Sequence, residues 1–218
     1  VTKFSQVSVF SGFNQPDDIS MDIHYETLCG VTQEELEHYF PQPITDMAAE
    51  YGCTPEEMKL QLKLQYDGYH FSKRMTDMYN PFSLLNAMKK NTLGDYWFRS
   101  GTPTYLIRLL THFNENLNEL TGKYYRPEEF IDYKADVEQP LPMIFQSGYL
   151  TIKGYNMRMN KFLLDFPNNE VKNGFLTMLA ASYLKPKQRV EGWVDEVVET
   201  LEAGDTDTLR TLFTSFLA

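Results

Sequence analysis

The sequence predicts a mainly α-helical fold with one small β-hairpin. Side chains that cap helices recur along the chain, several of them directly before a proline that suits the first helical position. Two neighbouring runs in the second half are instead rich in β-branched and aromatic residues. A hydrophobic content of 42% and an aromatic content of 14% are sufficient for a packed core. We therefore expect a folded chain in which helices supply most of the core.

The first hundred residues contain three clear helix starts. Residues 1–30 mix strand-like and helix-like spacing before a loop, so their conformation stays open. Capping boxes begin at Thr32 and Thr54, each with a glutamate three residues later, and Asn80 precedes a proline. The helices predicted for this part cover residues 32–40, 43–51, 54–66 and 81–90.

The second half of the chain changes from helices to a hairpin and back to helices. Tyr149–Lys153 and Lys161–Phe166 are β-prone and flank a polar segment. The predicted helices are 103–113, one starting at Pro127, a short one between Pro140 and Gly148, 169–184, 190–203 and 206–217. A helix, a short helix and then a hairpin form the outline of a winged-helix unit. The last two helices meet at Gly204-Asp205, which predicts a terminal helical pair.

Charge and cysteine content make several classes of protein improbable. Twenty basic and thirty acidic residues give a formal net charge of −10, which disfavours a free-standing nucleic-acid binder. Cys29 and Cys53 are too few for a disulfide framework and are expected to be reduced in the cytoplasm. The four histidines lack the spacing of metal ligands, so we expect no metal site. No apolar run approaches the roughly 20 residues that span a bilayer, so we expect no membrane contact.

Five aromatic blocks punctuated by Gly or Pro follow one another along the chain. They are SVFSGFNQPDDIS (8–20), YDGYHF (66–71), YNPFSLLNAM (79–88), YWFRSGTPTYL (96–106) and FQSGYLTIKGY (145–155). Their order and content resemble bacterial AAA-ATPase-like proteins, in which a P-loop ATPase is followed by a predicted PD-(D/E)XK-type nuclease domain. The resemblance covers nearly the whole chain. It implies that residues 1–100 are the end of an ATPase core with its helical lid, and that residues 101–218 are a winged-helix-like and helical linker region.

The phosphate-binding loop of such ATPases, G-x-x-x-x-G-K-[ST], does not occur in the sequence. The resemblance therefore implies a middle piece, with ATP and Mg²⁺ expected in the parent protein and no cofactor in this chain. Other domains of the same polypeptide are the expected partners, with DNA contacted through the parent protein. By position, the resemblance also suggests nucleotide-sensing candidates near the start of the chain, namely Thr2, Lys3 and Asn14.

The block at 66–71 carries a motif made of Tyr66, Asp67, Gly68, Tyr69, His70 and Phe71. Asp67-Gly68 favours a sharp turn, and the aromatic side chains can pack on both sides of it. Two interpretations stay open: a structural corner, or a hydrolytic site in which His70 acts as a base beside Asp67. The resemblance places the motif in the helical lid, which suits a structural hinge.

Basic residues of the hairpin and of a later loop suggest a second kind of site, a nucleic-acid surface. The candidates are Lys153, Arg158, Lys161, Lys185, Lys187 and Arg189. In winged-helix proteins a recognition helix reads the major groove while the wing contacts the DNA backbone. Here the helix before the hairpin, residues 141–147, is apolar and has no base-reading side chain, which favours a packing role.

The leading functional hypothesis is a non-catalytic segment that couples the nucleotide state of an ATPase to a downstream nuclease domain. It depends on the block resemblance and on the missing phosphate loop. The alternatives come from other functional classes. They are a nucleic-acid platform, a hydrolase site and a helical scaffold for protein partners.

Overall fold

A computed structural model describes residues 19–100, 120–131, 140–183 and 190–217. Within these ranges the chain is mainly α-helical with one small antiparallel sheet, which confirms the predicted fold class. The helices are α1 Gln33–Tyr39, α2 Pro41–Tyr51, α3 Pro55–Tyr66, α4 Pro81–Lys90, α5 Tyr96–Ser100, α6 Pro127–Phe130, α7 Leu141–Gln146, α8 Asn169–Tyr183, α9 Val190–Glu202 and α10 Thr206–Leu217. The strands are β1 Lys123–Tyr125, β2 Thr151–Asn156 and β3 Lys161–Asp165.

The helix starts read from the sequence are present with their caps. The Thr32 hydroxyl accepts from the Glu35 backbone at 3.2 Å, and the Glu35 carboxylate accepts from the Thr32 backbone at 2.9 Å. Thr54 and Glu57 form the same reciprocal pair at the start of α3, at 3.3 and 2.8 Å. Local side chains therefore determine where these helices begin.

A buried apolar cluster, here called the helical core, lies among α1 to α4. Its members are Leu36, Ile44, Met47, Ala48, Met58, Leu62, Tyr66, Tyr79, Leu84, Ala87 and Met88. Each of the four helices contributes buried side chains to this cluster. Tyr66 adds a polar anchor, because its hydroxyl donates to the Gly94 carbonyl and accepts from the Gly94 backbone, both at 2.9 Å.

The sheet has the strand order β1-β3-β2, with both pairs antiparallel. The β2–β3 hairpin was predicted, whereas β1 was missed because three residues give too little pattern to read. The register shifts between Ile152 and Gly154, which leaves Lys153 out of the regular pairing. A bulge of this kind redirects a side chain, and it does so at Lys153.

The predicted order of helix, short helix and hairpin is present as α6, α7 and β2–β3. The predicted helix at 103–113 lies outside the described residues.

The short helix α5 was also missed, and the reason is a cap that comes from far along the chain. The Asp95 carboxylate, directly before this helix, accepts from the Gln65 amide at 3.0 Å. Instead Glu170, at the start of α8, accepts from the backbone of Trp97 at 2.7 Å and of Phe98 at 3.4 Å. A cap 73 residues away cannot be read from local spacing.

The chain divides into two compact units, one ending at Gly174 and one beginning at Phe175. In the second unit α9 and α10 pack on each other as the predicted terminal pair. Gly204 has a positive φ of 68°, and the Asp205 carboxylate accepts from the Thr208 backbone at 3.1 Å. The rings of Trp193 and Phe213 meet edge to face at 5.5 Å. The sequence analysis placed a boundary at residue 100, between the end of an ATPase core with its lid and a linker region. That boundary stays a prediction.

Candidate functional site

The motif at residues 66–71 forms a sharp turn directly after α3. Tyr66 is the last residue of the helix, and Gly68 has a φ of +91°. A Cβ on Gly68 would lie 2.5 Å from the Pro167 carbonyl oxygen and 2.7 Å from the Lys153 ammonium. Glycine is therefore required here for both its backbone conformation and its small size. Tyr69 then pairs with Met78 through two backbone hydrogen bonds of 3.2 and 3.1 Å.

Beyond the turn, the chain is bonded to strand β2. The His70 backbone N–H donates to the Thr151 hydroxyl at 2.8 Å, and that hydroxyl donates to the His70 carbonyl at 3.0 Å. The Lys153 ammonium donates to the carbonyls of Gly68 at 2.7 Å and Pro167 at 2.9 Å. Three of these bonds connect the end of the helical region to strand β2, and the fourth holds Lys153 to the segment after β3. We call this connection the polar joint.

The His70 side chain lies at the centre of the joint between two acceptors. Its Nδ1 is 2.5 Å from the Ile152 carbonyl oxygen and its Nε2 is 2.7 Å from the Asp77 carboxylate. The imidazolium form can donate to both groups, whereas a neutral ring can donate to only one. In either form, both ring nitrogens are directed at protein groups. His70 therefore offers no free lone pair to a substrate, and its role in the joint is structural.

A small ion network surrounds the histidine. The Lys63 ammonium contacts the carboxylates of Asp67 at 2.8 Å and Asp77 at 2.9 Å. Burial raises the pKa of Asp77, but the hydrogen bonds from His70 and Lys63 outweigh it and hold that pKa below its ordinary value. Burial lowers the pKa of Lys153. The joint thus combines the buried Asp67 and His70 with the more exposed Lys63 and Asp77 in one closely hydrogen-bonded, charged assembly.

A second buried carboxylate secures the loop that carries Asp77. Glu26 accepts hydrogen bonds from the hydroxyls of Ser72 and Thr76, the latter at 2.6 Å, and lies 3.4 Å from the Arg74 guanidinium. Burial raises the pKa of Glu26, but these partners more than offset it and hold the pKa below its usual value. The loop is therefore fixed at both ends, by Glu26 and by the joint.

A cavity of about 880 Å³ lies beside the joint, and its described lining is mainly apolar and aromatic. His70 and Thr151 line it, whereas Asp67 does not. The proposed hydrolytic pair of His70 and Asp67 is therefore not assembled at one surface. Of the two interpretations of the motif, the geometry favours the structural corner.

The basic candidates do not form one surface among the described residues. Lys153 points inward to two backbone carbonyls, so its ammonium is already used within the protein. Arg158 is exposed at the hairpin tip and Lys161 is half-buried on β3. The other candidates, Lys185, Lys187 and Arg189, lie outside the described residues, as do Thr2, Lys3 and Asn14.

Sequence reasoning missed most partners of the motif. The pair of Lys63 and Asp67 is four residues apart on the end of a helix, a spacing that could have been read. Thr151 is 81 residues from His70, and no local pattern links the two. In the part of the chain that the structure describes, no three His, Cys, Asp or Glu side chains are arranged to hold a metal. Within the same residues, no helix has the length and apolar character required to cross a bilayer.

Comparisons with known proteins give one informative match. The chain is 34% identical over 226 aligned residues to a protein of Azotobacter chroococcum mcd 1 described as an uncharacterized protein in the vnfD 5′ region. The alignment covers 100% of this chain and 40% of that relative. The chain thus spans less than half the length of the curated protein it matches. No protein-family model matches the chain, and no solved structure matches it.

Proposed function

We propose that this chain is a non-catalytic coupling segment of a longer AAA-ATPase-like protein, and that it transmits nucleotide state to a downstream nuclease domain. ATP and Mg²⁺ would bind in the part of that protein outside these residues. The polar joint is the observation that carries the proposal. The longer relative supports it as well, because the alignment occupies only 40% of that protein.

The joint has the physical properties that a coupling element needs. Short directional bonds connect residues 68–70 to 151–153, and most of the groups involved are buried. A displacement of the end of α3 would break these bonds or move β2 with it, because buried polar groups lose much free energy when left unpaired. The close contact of Gly68 with Pro167 leaves little room for the two parts to slide. The two parts are therefore expected to move together.

The test is hydrogen exchange of the longer protein with and without ATP and Mg²⁺. We expect nucleotide to change the exchange of residues 66–72 and 150–156 together. Thr151→Val should keep the change at 66–72 and lose it at 150–156, because the variant removes the hydroxyl that bonds to His70. Thr45→Val is the matched control, since the Thr45 hydroxyl bonds only within α2.

Two results would contradict the proposal. One is that nucleotide leaves both segments unchanged in the longer protein. The other is tight, stoichiometric binding of ATP and Mg²⁺ by the 218-residue chain alone, measured by isothermal titration. Such binding would mean that the chain contains its own nucleotide site.

A further inference from the structure

The His70 ring lies between two acceptors that belong to different segments of the chain. Its Nδ1 is 2.5 Å from the Ile152 carbonyl oxygen of strand β2, and its Nε2 is 2.7 Å from the Asp77 carboxylate. The lowered pKa of Asp77 keeps that carboxylate ionised near neutral pH, so both oxygens can only accept. Both contacts are therefore hydrogen bonds only when both ring nitrogens carry a proton, that is, when His70 is an imidazolium.

The charges around the ring balance in that same state. Among the described residues, five other charged groups act on one another at the joint, namely Asp67, Asp77, Asp165, Lys63 and Lys153. Arg74, on the same loop as Asp77, lies instead beside Glu26 at 3.4 Å. With all five ionised, three carboxylates and two ammonium groups sum to −1. The imidazolium brings this sum to zero, whereas a neutral ring leaves one negative charge uncompensated in a partly buried site.

Loss of the proton would weaken one particular contact. A neutral ring has one N–H and one lone pair. The N–H is expected to stay with the Asp77 carboxylate, because a bond to a charged acceptor is the stronger one. The Nδ1 lone pair would then face the Ile152 oxygen at 2.5 Å, which is repulsive. Strand β2 would therefore lose one of its bonds to the turn, while the two bonds between Thr151 and the His70 backbone stay.

We propose that His70 is a proton-dependent switch, which fastens strand β2 to the turn as an imidazolium and loosens it as a neutral ring. Protons can reach the pair from solvent, because the Asp77 side chain is 45% exposed. Histidine is the side chain whose charge ordinarily changes between about pH 5 and pH 8, so such a switch responds to modest changes of pH. The inference concerns this chain alone. It requires neither nucleotide nor the longer protein, so it and the coupling function can fail separately.

The test is a titration of the 218-residue chain from about pH 5 to pH 8 with two measurements. Nitrogen NMR of the imidazole groups gives the protonation of each ring. Amide hydrogen exchange, corrected for the intrinsic effect of pH, gives the local opening of the joint. We expect the His70 ring to lose its proton and the protection of the His70 amide to fall by about tenfold, with one shared midpoint. The Leu36 amide, which bonds to Thr32 at the start of α1, should show no such change.

Two variants identify the group that titrates. His70→Gln removes the ring, so the amide of residue 70 should keep the same protection across the whole range. His38→Gln is the matched control, because His38 is exposed in the last turn of α1. This variant should retain the transition of the natural chain.

Three results would overturn the switch. The first is a His70 ring that stays neutral or stays charged throughout the titration. The second is a ring that titrates while the protection of its amide does not follow. The third is a transition that persists in His70→Gln, which would assign it to another group such as Lys153, whose pKa is lowered by burial. If His70→Gln does not fold, the two measurements on the natural chain still decide the matter.

Discussion

The helical core and the polar joint are adjacent, but the core is buried throughout whereas the joint is only partly buried, and different forces hold them. The core is filled by aliphatic and aromatic side chains whose stability comes from removing apolar surface from water. The joint contains Lys63, Asp67, His70, Asp77 and Lys153, and its stability depends on every donor having an acceptor. The core therefore tolerates changes that preserve volume, whereas the joint should be sensitive to geometry and charge. Five substitutions test this difference in decreasing order of effect, the last two as a pair.

Leu62→Ala should have the largest effect, because it opens a cavity in the helical core. We expect a loss of about 2–5 kcal/mol in the free energy of unfolding, measured by urea denaturation. The loss should be nearly the same at pH 5 and pH 8, since no charge is involved. Leu64→Ala on the opposite face of the same helix is the control. Its loss should stay below about 1 kcal/mol in the isolated chain; equal losses would mean that α3 has no buried face.

Gly68→Ala should come next, because the joint has no space for a methyl group. Left-handed strain and the contact with the Pro167 carbonyl should together lower the free energy of unfolding by about 2–4 kcal/mol. Gly52→Ala is the control, since Gly52 has a φ of +63° but no atom within 4 Å of the added Cβ. Conformational strain alone should cost about 1–2 kcal/mol there. If both variants lost the same free energy, close packing at the joint would be disproved.

Lys153→Met should have an intermediate effect, because it leaves two buried carbonyl oxygens without a donor. We expect a loss of about 1–3 kcal/mol in the free energy of unfolding. Arg158→Met at the exposed hairpin tip should change it by no more than about 0.5 kcal/mol. A mobility-shift assay on both variants adds a second check. Reduced DNA binding by Lys153→Met, with stability unchanged, would return Lys153 to a nucleic-acid surface.

Glu170→Gln should give the smallest effect on the free energy of unfolding, and the size of that effect should depend on pH. Burial raises the pKa of Glu170, so the folded state binds its proton more tightly than the unfolded chain does. The destabilising contribution of this carboxylate is complete above the raised pKa and disappears as pH falls below the ordinary value of 4.5. The free energy of unfolding of the variant, relative to that of the natural chain, should therefore be higher at pH 7.5 than at pH 4.

Glu26→Gln should show the opposite pH dependence when both variants are compared with the natural chain by thermal melts across pH. The pKa of Glu26 is lowered, so its stabilising contribution is complete above 4.5 and is lost as pH falls through the lowered value. This variant should lose more stability at pH 7.5 than at low pH. If the stability of both variants, relative to the natural chain, changed with pH in the same direction, the partners of these two buried carboxylates would differ from those described.

Much of the helical region could be predicted because its signals are local. Thr32 and Thr54 lie three residues from the glutamates that complete their caps, and α3 ends at Tyr66 as expected from the following Asp-Gly pair. The role of the 66–71 motif as a corner could also be read from its turn formers. The hairpin appeared as two β-prone runs, although β1, which completes the sheet, gave no signal.

The tertiary structure alone decided what the motif bonds to and how α5 begins. His70 meets Thr151 and Ile152 more than eighty positions further along the chain, and Glu170 caps a helix 73 residues before it. Capping and periodicity act over a few residues, so the sequence by itself determined the described helices other than α5. Packing brings distant segments together, and only that packing shows which buried polar group finds which partner.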